Sequence, residues 1–401
     1  GSALAYNDLD GNFKPLPFDF TRSTSGTRIN KDGLIEVVTN NKPRIDFKDD
    51  AKGALLLEPT RSNLITYSEA FDNAYWTKSG SSVVSGFVSP KGDLSAFKLV
   101  EDTSTAIHYM YHPTIGDVGI KTASFFVKAG ERNKIGIRDA ATGGSYVSFD
   151  LENGVILDET LTATGTIKAV ADGWYKISIE QTITSALRYQ IFILPNSYTS
   201  GSILGTYTGD GTSGIYIFGA QLEVGSYATS YIPTQGATAT RVAETCVKNN
   251  IDTSIISSSY PFTMYVESTY IVGNEQALSF INSSVPNNYY VITINSNVVN
   301  LDARANGLTE LISSGVSLVN GQKFKAAITM QSATSGKICV NGNTVISKTN
   351  FSNQSVNSNI NDLLIGQLRL ATDNGQRLPV SDVKFYNTAL TDSELQALTT
   401  L

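Results

Sequence analysis

The chain contains few of the residues that nucleophilic or metal-dependent catalysis requires. Its 401 residues include two histidines, His108 and His112, and two cysteines, Cys246 and Cys339. Neither a G-x-S-x-G nor an H-E-x-x-H pattern occurs, so the usual nucleophile-and-base sets are nearly excluded. The histidines are four residues apart and would share one face of a strand or helix, which allows a metal pair. We expect them instead to be partly exposed residues on a strand.

Carboxylates leave one catalytic alternative open. The chain has 36 Asp and Glu residues, and two of them could lie about 5 to 9 Å apart in a cleft and cleave a glycosidic bond. The G-x-G-x-x-G match at residues 209–214 precedes a predicted strand, whereas a dinucleotide site needs a helix there. We interpret it as a glycine-rich β-turn, and a polysaccharide-degrading enzyme with paired carboxylates remains an alternative.

Aromatic and planar polar side chains offer a different chemistry. Sugar binding uses flat aromatic faces for the C–H surface of a pyranose and polar groups for its hydroxyls, at a concave surface. The predicted binding residues are aromatic residues and donors on polar strand faces: Tyr109, Tyr111, Tyr146, Trp174, Arg138, Arg188 and Gln190. Trp174 could equally plug a sandwich edge, and Trp76 is predicted to be a packing anchor. Weaker candidates follow in the second half: Tyr289, Tyr290, Arg304 and Arg369.

The elements that would position these residues are short strands. Between residues 61 and 235, short runs of alternating polar and apolar residues recur between Gly, Asn and Asp turns, which is typical of a sandwich or jelly roll. In residues 174–180, the alternation puts Tyr175, Ile177 and Ile179 on the core face and Trp174 on the polar face. Asn341-Gly342 lies between two β-prone runs and predicts a turn with positive φ. Thr391 and Glu394 form a predicted capping box before a short helix.

These patterns predict an all-β protein of two β-sandwich (jelly-roll) modules with a short N-terminal β segment and a short C-terminal helix. The predicted divisions are a hairpin lead-in over 1–60, a first sandwich over 61–240 and a second over 241–401. The lead-in is too small to fold alone. Cys246 and Cys339 are expected to be reduced and structural, because two cysteines make no disulfide framework.

Charge and hydropathy exclude two classes of partner. Thirty basic and 36 acidic residues give a net charge of −6, and no Lys/Arg run occurs, so we expect no nucleic-acid partner. No apolar run approaches the roughly 18 to 20 residues that span a bilayer, so we expect no membrane insertion. Heptads that could build a trimeric coiled coil are also absent from the sequence.

Several segments resemble modular phage tail and virion proteins. The resemblance rests on four N-terminal segments: FTRS at 20–23, DGLI at 32–35, LLEPTRSNL at 56–64 and YSEAF at 67–71. In such proteins these segments precede a carbohydrate-binding-module-like jelly roll that ends as this one does, with FGAQLEVG at 218–225 and SYIPT at 230–234. The C-terminal part resembles a concanavalin A-like, laminin-G-type sandwich through VNG at 340–342, LIG at 364–366 and DVKFYNTAL at 382–390.

The resemblance implies a glycan-binding attachment protein of a phage or prophage virion, such as a tail fibre or accessory adhesin, without a catalytic site. Its partners would be a bacterial surface or environmental polysaccharide and other virion proteins, with a homotrimer as one assembly. It would be assembled in the bacterial cytoplasm and exposed extracellularly. Such jelly rolls often hold structural calcium, and Glu223 and Asp10, or Asp8, are the predicted ligands. The alternative is a structural decoration protein that binds no glycan.

Overall fold

The structure is a computed structural model that describes residues 5–7, 13–15, 18–141, 144–160, 162–251, 260–271, 276–281, 288–305, 308–351, 362–366 and 378–401. The chain divides into two compact units. Unit 1 comprises residues 1–25, 38–60 and 242–401, and unit 2 comprises residues 26–37 and 61–241. The predicted all-β fold of two sandwich modules is confirmed.

Short strands account for most of the secondary structure. The first strands are β1 (Ala5–Asn7), β2 (Phe13–Pro15), β3 (Asp19–Thr21), β4 (Gly26–Ile29), β5 (Ile35–Val38), β6 (Ile45–Asp46), β7 (Ala54–Leu55) and β8 (Arg61–Asn63). The middle strands are β9 (Thr77–Ser79), β10 (Ser81–Phe87), β11 (Ala96–Glu101), β12 (Thr105–Ala106), β13 (His108–Tyr111), β14 (Gly119–Ala129), β15 (Lys134–Asp139), β16 (Tyr146–Asp150), β17 (Val155–Glu159), β18 (Ala163–Ala169), β19 (Trp174–Ile183), β20 (Tyr189–Leu194), β21 (Tyr207–Thr208), β22 (Gly214–Val224) and β23 (Ala239–Arg241). The last elements are β24 (Thr245–Lys248), β25 (Phe262–Thr269), β26 (Gln276–Ile281), β27 (Tyr289–Asn295), β28 (Val298–Ala305), β29 (Leu308–Ser317), β30 (Lys323–Ser332), β31 (Ser335–Val340), β32 (Ile346–Lys348), β33 (Asp362–Ile365), β34 (Val380–Tyr386) and α1 (Asp392–Thr399).

Unit 2 is a sandwich of two six-stranded sheets. One sheet has the order β10-β11-β22-β14-β19-β18 and the other has the order β17-β16-β15-β20-β13-β9. Alternation along the strands sends every second side chain into the core between them. Ile177 and Ile179 lie fully buried in that core, and Tyr175 packs against it, as the pattern at residues 174–180 predicts.

A hairpin of β4 and β5 packs on the outer face of the first of these sheets. The backbone N–H of Ile35 donates to the Pro90 carbonyl at 2.8 Å, and the Thr27 hydroxyl donates to the Tyr231 carbonyl at 2.6 Å. Ile35 joins a buried cluster with Trp174 and Phe218. The predicted lead-in over 1–60 is therefore not one segment: its residues 26–37 belong to unit 2 and the rest to unit 1. A hairpin this small has no core of its own and must bury its apolar side against a larger sheet.

Unit 1 is a second sandwich. Its larger sheet has nine strands with the path β2-β1-β34-β25-β30-β31-β32, to which β7 adds beside β34 and β6 beside β7. The facing sheet has the order β29-β28-β27-β26-β33-β24-β3. The core between them is apolar. It includes Met264 and Ile328 from the first sheet and Leu301 and Leu363 from the second.

Buried ion pairs hold the N-terminal residues of unit 1 against β24. Arg22 Nη1 lies 3.1 Å from Glu244 Oε1, and Arg44 Nη2 lies 2.5 Å from the same oxygen. Arg44 Nη1 also lies 2.8 Å from Glu58 Oε2. Because these charges are out of water, each depends on its partners, and removing one would leave an uncompensated buried charge. This explains why residues 1–25 and 38–60 form part of unit 1.

Local predictions at the C-terminus are confirmed. Thr391 and Glu394 form a capping box that begins α1. Asn341 and Gly342 have φ values of 53° and 70°, as the predicted turn requires.

Cys246 and Cys339 are buried free thiols, and burial raises the pKa of Cys246 to about 12. Within the described residues, no helix combines the length and apolar character that crossing a bilayer requires.

Candidate functional site

Six of the seven predicted binding residues of the first sandwich lie on one outer surface of unit 2. Strand pairing places Tyr146 opposite Arg138, Arg138 opposite Gln190, and Gln190 opposite Tyr111, in one row across β16, β15, β20 and β13. Tyr109 and Arg188 lie two residues from Tyr111 and Gln190, so alternation keeps them on the same side. We call this surface the open face; it comprises Tyr109, Tyr111, Arg138, Tyr146, Arg188 and Gln190.

The opposite side of the same strands explains why the open face is polar. Met110, Ile137, Val147 and Ile191 alternate with the open-face residues and are fully buried in the core of unit 2. Because the side-chain period of a strand is two, burying one set commits the other set to the outside of the sandwich. The sequence pattern predicts that each of these residues lies on the polar face of its own strand, and strand pairing brings the six together on one side.

The tyrosines of the open face stand in a row and do not offer free ring surfaces. The rings of Tyr109 and Tyr111 are nearly parallel, with centroids 5.9 Å apart, and Tyr109 stacks on Phe192 at 5.2 Å. The Arg188 guanidinium carbon lies 5.1 Å from the Tyr111 centroid, a cation–π distance. The predicted use of both rings as stacking platforms thus needs correction, because each ring has neighbours along the row.

Polar donors in the centre of the open face are only partly engaged. Arg138 Nη1 donates to Gln190 Oε1 at 2.9 Å. Gly144, with φ of 76°, leaves room for the rest of this guanidinium, because a Cβ there would lie 2.8 Å from Arg138 Nη2. Within the described residues, neither Arg138 nor Arg188 forms a salt bridge, and the hydroxyls of Tyr109 and Tyr111 make no hydrogen bond. The face therefore holds donors that a ligand can use.

Asp139 positions Arg188 from the core side of the sheet. It is fully buried, and its Oδ1 accepts from the backbone N–H of Arg188 at 3.0 Å. Gln181 Nε2 donates to the other carboxylate oxygen at 3.0 Å. Sequence reasoning did not identify this role. The available signal was an acidic residue at a core-facing position of an alternating strand, where a carboxylate needs specific partners.

A loop covers the part of this sheet surface next to the open face. Ile203 lies over Gly136, where an added Cβ would come 3.2 Å from its side chain. The Tyr198 hydroxyl donates to the Gly201 carbonyl at 2.7 Å, and the Gly201 N–H donates to Asp158 Oδ2 at 2.8 Å. Residues 195–206 therefore enclose one side of the candidate site and leave its arginine side accessible.

Tyr146 marks the border between the loop and the open face. Its hydroxyl donates to Asp158 Oδ2 at 3.0 Å. Burial and the neighbouring Asp158 carboxylate raise the pKa of Tyr146 to about 12. Tyr146 therefore stays protonated at neutral pH and donates to Asp158. This hydrogen bond holds the Asp158 carboxylate on the loop side, so that it does not pair with the arginines.

Trp174 does not belong to the open face. It lies in the other six-stranded sheet and is 2% exposed. Its ring is buried with Phe126, Phe218 and Tyr231 beneath the β4–β5 hairpin. The prediction that Trp174 stacks on a ligand is therefore wrong, because another part of unit 2 already covers it. Trp76 is a buried packing residue, as predicted, and its indole N–H donates to the Tyr67 carbonyl at 2.9 Å.

Both histidines are buried, which corrects the expectation of partial exposure. His112 Nε2 accepts from the Tyr189 N–H at 3.0 Å, and Nδ1 lies 2.5 Å from the Pro113 carbonyl oxygen. Burial lowers the pKa of His112 to about 4, so this ring is neutral at pH 7. His108 contacts the Gly80 and Tyr207 carbonyl oxygens at 2.5 and 3.1 Å. Among the residues that the structure describes, no three His, Cys, Asp or Glu side chains are grouped to hold a metal ion.

The predicted calcium ligands have different positions. Glu223 is fully buried, and its Oε2 accepts from Gln221 Nε2 at 2.7 Å and from the Thr229 N–H at 2.9 Å. The Thr229 hydroxyl donates to its Oε1. Glu223 thus serves as an internal hydrogen-bond acceptor that fixes the chain after β22. Asp8 and Asp10 lie outside the described residues.

The weaker candidates of the second sandwich do not form an exposed aromatic site. Tyr290 belongs to the core of unit 1 and is 2% exposed. Tyr289 is 5% exposed and is buried with Val291 and Leu364 on the other side of its sheet. Arg304 is half-buried opposite Tyr289, and Arg369 lies outside the described residues. The two tyrosines are therefore corrected to packing residues.

Comparison with known proteins adds a family match for part of the chain. Residues 245–396 match the family described as the concanavalin A-like lectin/glucanases superfamily. No sequence among the curated proteins matches the chain.

Solved structures similar to the chain have low TM-scores. The carbohydrate-binding module CBM40 of the Ruminococcus gnavus IT-sialidase is 18% identical with a TM-score of 0.30, over 35% of this chain and 82% of that chain. A heptameric SAP-like pentraxin from Limulus polyphemus is 14% identical with a TM-score of 0.30, over 37% and 79%. The LG4-5 domains of the mouse laminin alpha1 chain are 11% identical with a TM-score of 0.26, over 73% and 88%.

Proposed function

We propose that the open face binds a polysaccharide and that the protein is a non-catalytic glycan-binding attachment protein. The observation that supports this most is the meeting of Tyr111, Arg138 and Gln190 in one row across three strands, with donors that no described residue engages. Saccharide hydroxyls are matched by planar amide and guanidinium groups at such a surface. The loop at 195–206 gives the face a wall on one side.

We further propose that the chain acts in a phage or prophage virion, as a tail fibre or accessory adhesin. The support is the sequence resemblance at residues 20–71 and 218–234 to virion proteins. In this proposal the ligand is a bacterial surface or environmental polysaccharide, and the assembly contains other virion proteins, with a homotrimer as one form of the chain. The protein would be exposed outside the host cell after assembly in its cytoplasm.

The proposal includes no bond cleavage at the open face. Two carboxylates, Asp150 and Asp158, lie on neighbouring strands near it. A glycosidase needs one carboxyl group whose raised pKa lets it act as an acid. Although burial alone would raise it, hydrogen bonds from Lys134 and Asn153 lower the pKa of Asp150 to about 2. Asp158 is engaged by Tyr146 and Gly201, so this pair favours a structural role.

Calcium remains part of the proposal as a structural ion rather than a ligand-binding group. Both carboxylate oxygens of Glu223 accept hydrogen bonds within unit 2, which leaves Asp10 as the proposed calcium ligand. The functional experiment therefore includes calcium as a variable.

The test is binding of the whole chain to an array of bacterial and environmental polysaccharides, with calcium and with a chelator. Every polysaccharide that binds is then assayed for new reducing ends. We expect binding without new reducing ends, and we expect Tyr109→Ala to weaken it. Tyr216→Ala, an aromatic change on the outer face of the other sheet, is the matched control and should leave binding intact.

Three results would contradict this proposal. New reducing ends would favour the glycan-degrading alternative, and the absence of binding to every polysaccharide would favour the structural decoration role. Equal loss of binding in Tyr109→Ala and Tyr216→Ala would move the site away from the open face.

A further inference from the structure

Arg138 and Arg188 lie diagonally across adjacent strands of the open face, and neither forms a salt bridge with a described residue. Arg138 is directly opposite Gln190, and the Ala140 N–H donates to the Arg188 carbonyl at 2.9 Å, which places Arg188 diagonally across from Arg138. Diagonal neighbours on adjacent strands are about 7 to 8 Å apart, within reach of long side chains. Both residues are half-buried. The Arg138 guanidinium contacts Gln190, and the Arg188 guanidinium lies against the Tyr111 ring on the other side of β20.

No carboxylate balances this charge in the part of unit 2 that the structure describes. The nearby Asp139 points to the core, where it accepts from Gln181 Nε2 and from backbone N–H groups. Asp158 is held on the loop side by Tyr146. Thr142, Gly143 and Leu161, neighbours in the chain that lie outside the described residues, carry no ionisable side chain. The two guanidinium groups carry like charges on one face, so an anion that contacts both would be stabilising.

The hydrogen-bonding capacity of the face is also biased toward donation. The Arg188 side chain donates no hydrogen bond within the described residues, and its Nε is buried without a partner. Among the described residues, only Nη1 of Arg138 donates a hydrogen bond, so its Nε and Nη2, which lie beside Gly144, have no acceptor there. A guanidinium has donors and no acceptor, and its fork matches the two oxygens of a carboxylate, sulfate or phosphate. A ligand rich in acceptors fits such a face better than one that offers only hydroxyls.

We propose that the ligand of the open face is an acidic saccharide, whose carboxylate, sulfate or phosphate group is bound between Arg138 and Arg188. This inference rests on the proposed function, because it specifies the ligand of the same surface. Tyr111 and Tyr109 would contact the sugar beside the anionic group through their hydroxyls and ring edges. Gln190 Nε2 would donate a hydrogen bond to the ring oxygen of the sugar or to one of its hydroxyl groups.

The test compares charged polysaccharides with neutral forms of the same backbone. Three pairs are used: a uronic-acid polymer and its carboxyl-reduced form, a sulfated polymer and its desulfated form, and a phosphorylated polymer and its dephosphorylated form. The whole chain should bind the charged member of at least one pair about tenfold or more tighter. That binding should weaken as ionic strength rises. The pair that responds identifies the anionic group.

Variants locate the anion. Arg138→Gln and Arg188→Gln should each weaken binding to the charged member by about tenfold or more, and Arg188→Lys should recover only part of the loss. Lys31→Gln is the matched control, because Lys31 is an exposed cation in the β4–β5 hairpin on the other side of unit 2. Tryptophan fluorescence verifies that each variant is folded, since Trp76 and Trp174 are the two tryptophans of the chain.

The outcomes separate this inference from the proposed function. Equal binding of both members in every pair would overturn the acidic ligand and leave glycan binding standing. No binding to any polymer, charged or neutral, would overturn both. Preference for a charged member that persists in both glutamine variants would overturn the assignment to Arg138 and Arg188.

Discussion

The two outer faces of unit 2 carry similar residues, but one face is accessible and the other is buried. One face presents Tyr109, Tyr111 and Tyr146 with Arg138 and Arg188, and these side chains are half-buried and accessible. The outer face of the other sheet carries Trp174, Phe126 and Phe218 with Lys176, and the three rings are at most 4% exposed. Aromatic residues beside cations thus form a candidate binding surface on one side and a packed layer on the other.

The difference arises from what lies above each sheet. The β4–β5 hairpin and the segment that contains Tyr231 cover the Trp174 side; we call it the hairpin-covered face. Above the other sheet, Ile203 and Tyr198 of residues 195–206 pack over Gly136, Phe192 and Leu194, and Arg138 and Arg188 stay half-buried. A strand pattern shows that residues share a side, and coverage then decides whether that side is core or surface.

The largest expected contrast is in stability. Trp174→Ala should lower the free energy of unfolding of unit 2 by about 3 to 5 kcal/mol, because it leaves a large cavity beneath the hairpin. Unfolding is followed through the remaining fluorescence of Trp76. Under folding conditions the variant should bind ligand as the wild type does. Reduced binding with unchanged stability would mean that Trp174 takes part in ligand binding, and the two faces would then not differ in role.

A smaller contrast concerns acid sensitivity of the sheet beneath the open face. His112 is neutral there, with its pKa lowered by burial to about 4, whereas an unfolded chain binds that proton near pH 6.5. The stabilisation is therefore fully present above about pH 6.5 and is lost as pH falls toward 4, by about 3 kcal/mol. Denaturant unfolding monitored by tryptophan fluorescence at several pH values measures it.

His112→Gln is the matched variant for this pH dependence, because Gln keeps an acceptor for the Tyr189 N–H and does not titrate. It should be less stable at neutral pH and should show a flatter stability profile between about pH 6.5 and 4. Parallel profiles for the variant and the wild type would show that His112 does not produce the acid sensitivity.

The smallest contrast uses one hydroxyl on each face. Tyr111→Phe should leave stability within about 0.5 kcal/mol and weaken ligand binding several-fold, because its hydroxyl has no described partner. Tyr231→Phe should do the reverse. Its buried hydroxyl lies 2.7 Å from Ser68 Oγ and 3.0 Å from Glu69 Oε1, so its loss should destabilise unit 2 by about 1 to 3 kcal/mol. Calorimetry of binding and denaturant unfolding of both variants measure the pair, and equal effects would mean that the two faces do not differ in role.

Much of the candidate site could be predicted from alternation and residue type. The period of two assigns Tyr146, Arg138 and Gln190 to the polar sides of their strands. Their neighbours along each strand, Val147, Ile137 and Ile191, are apolar and lie in the core as expected. The same reasoning places Trp174 on a polar side, which is correct as geometry. It failed as a prediction of exposure, because the covering hairpin comes from residues 26–37, far away in the chain.

The sequence by itself determined the all-β class, the strand patterns, the Asn341-Gly342 turn and the capping box at Thr391, because all of these depend on neighbours within a few residues. Only the tertiary structure decided that β13 lies beside β20, so that Tyr111 meets Gln190 and Arg188. It also decided which aromatic layer is covered and that both histidines are buried. These outcomes depend on contacts between residues distant in the chain. The burial of apolar surface stabilises those contacts, and no short sequence pattern shows which distant segments will meet.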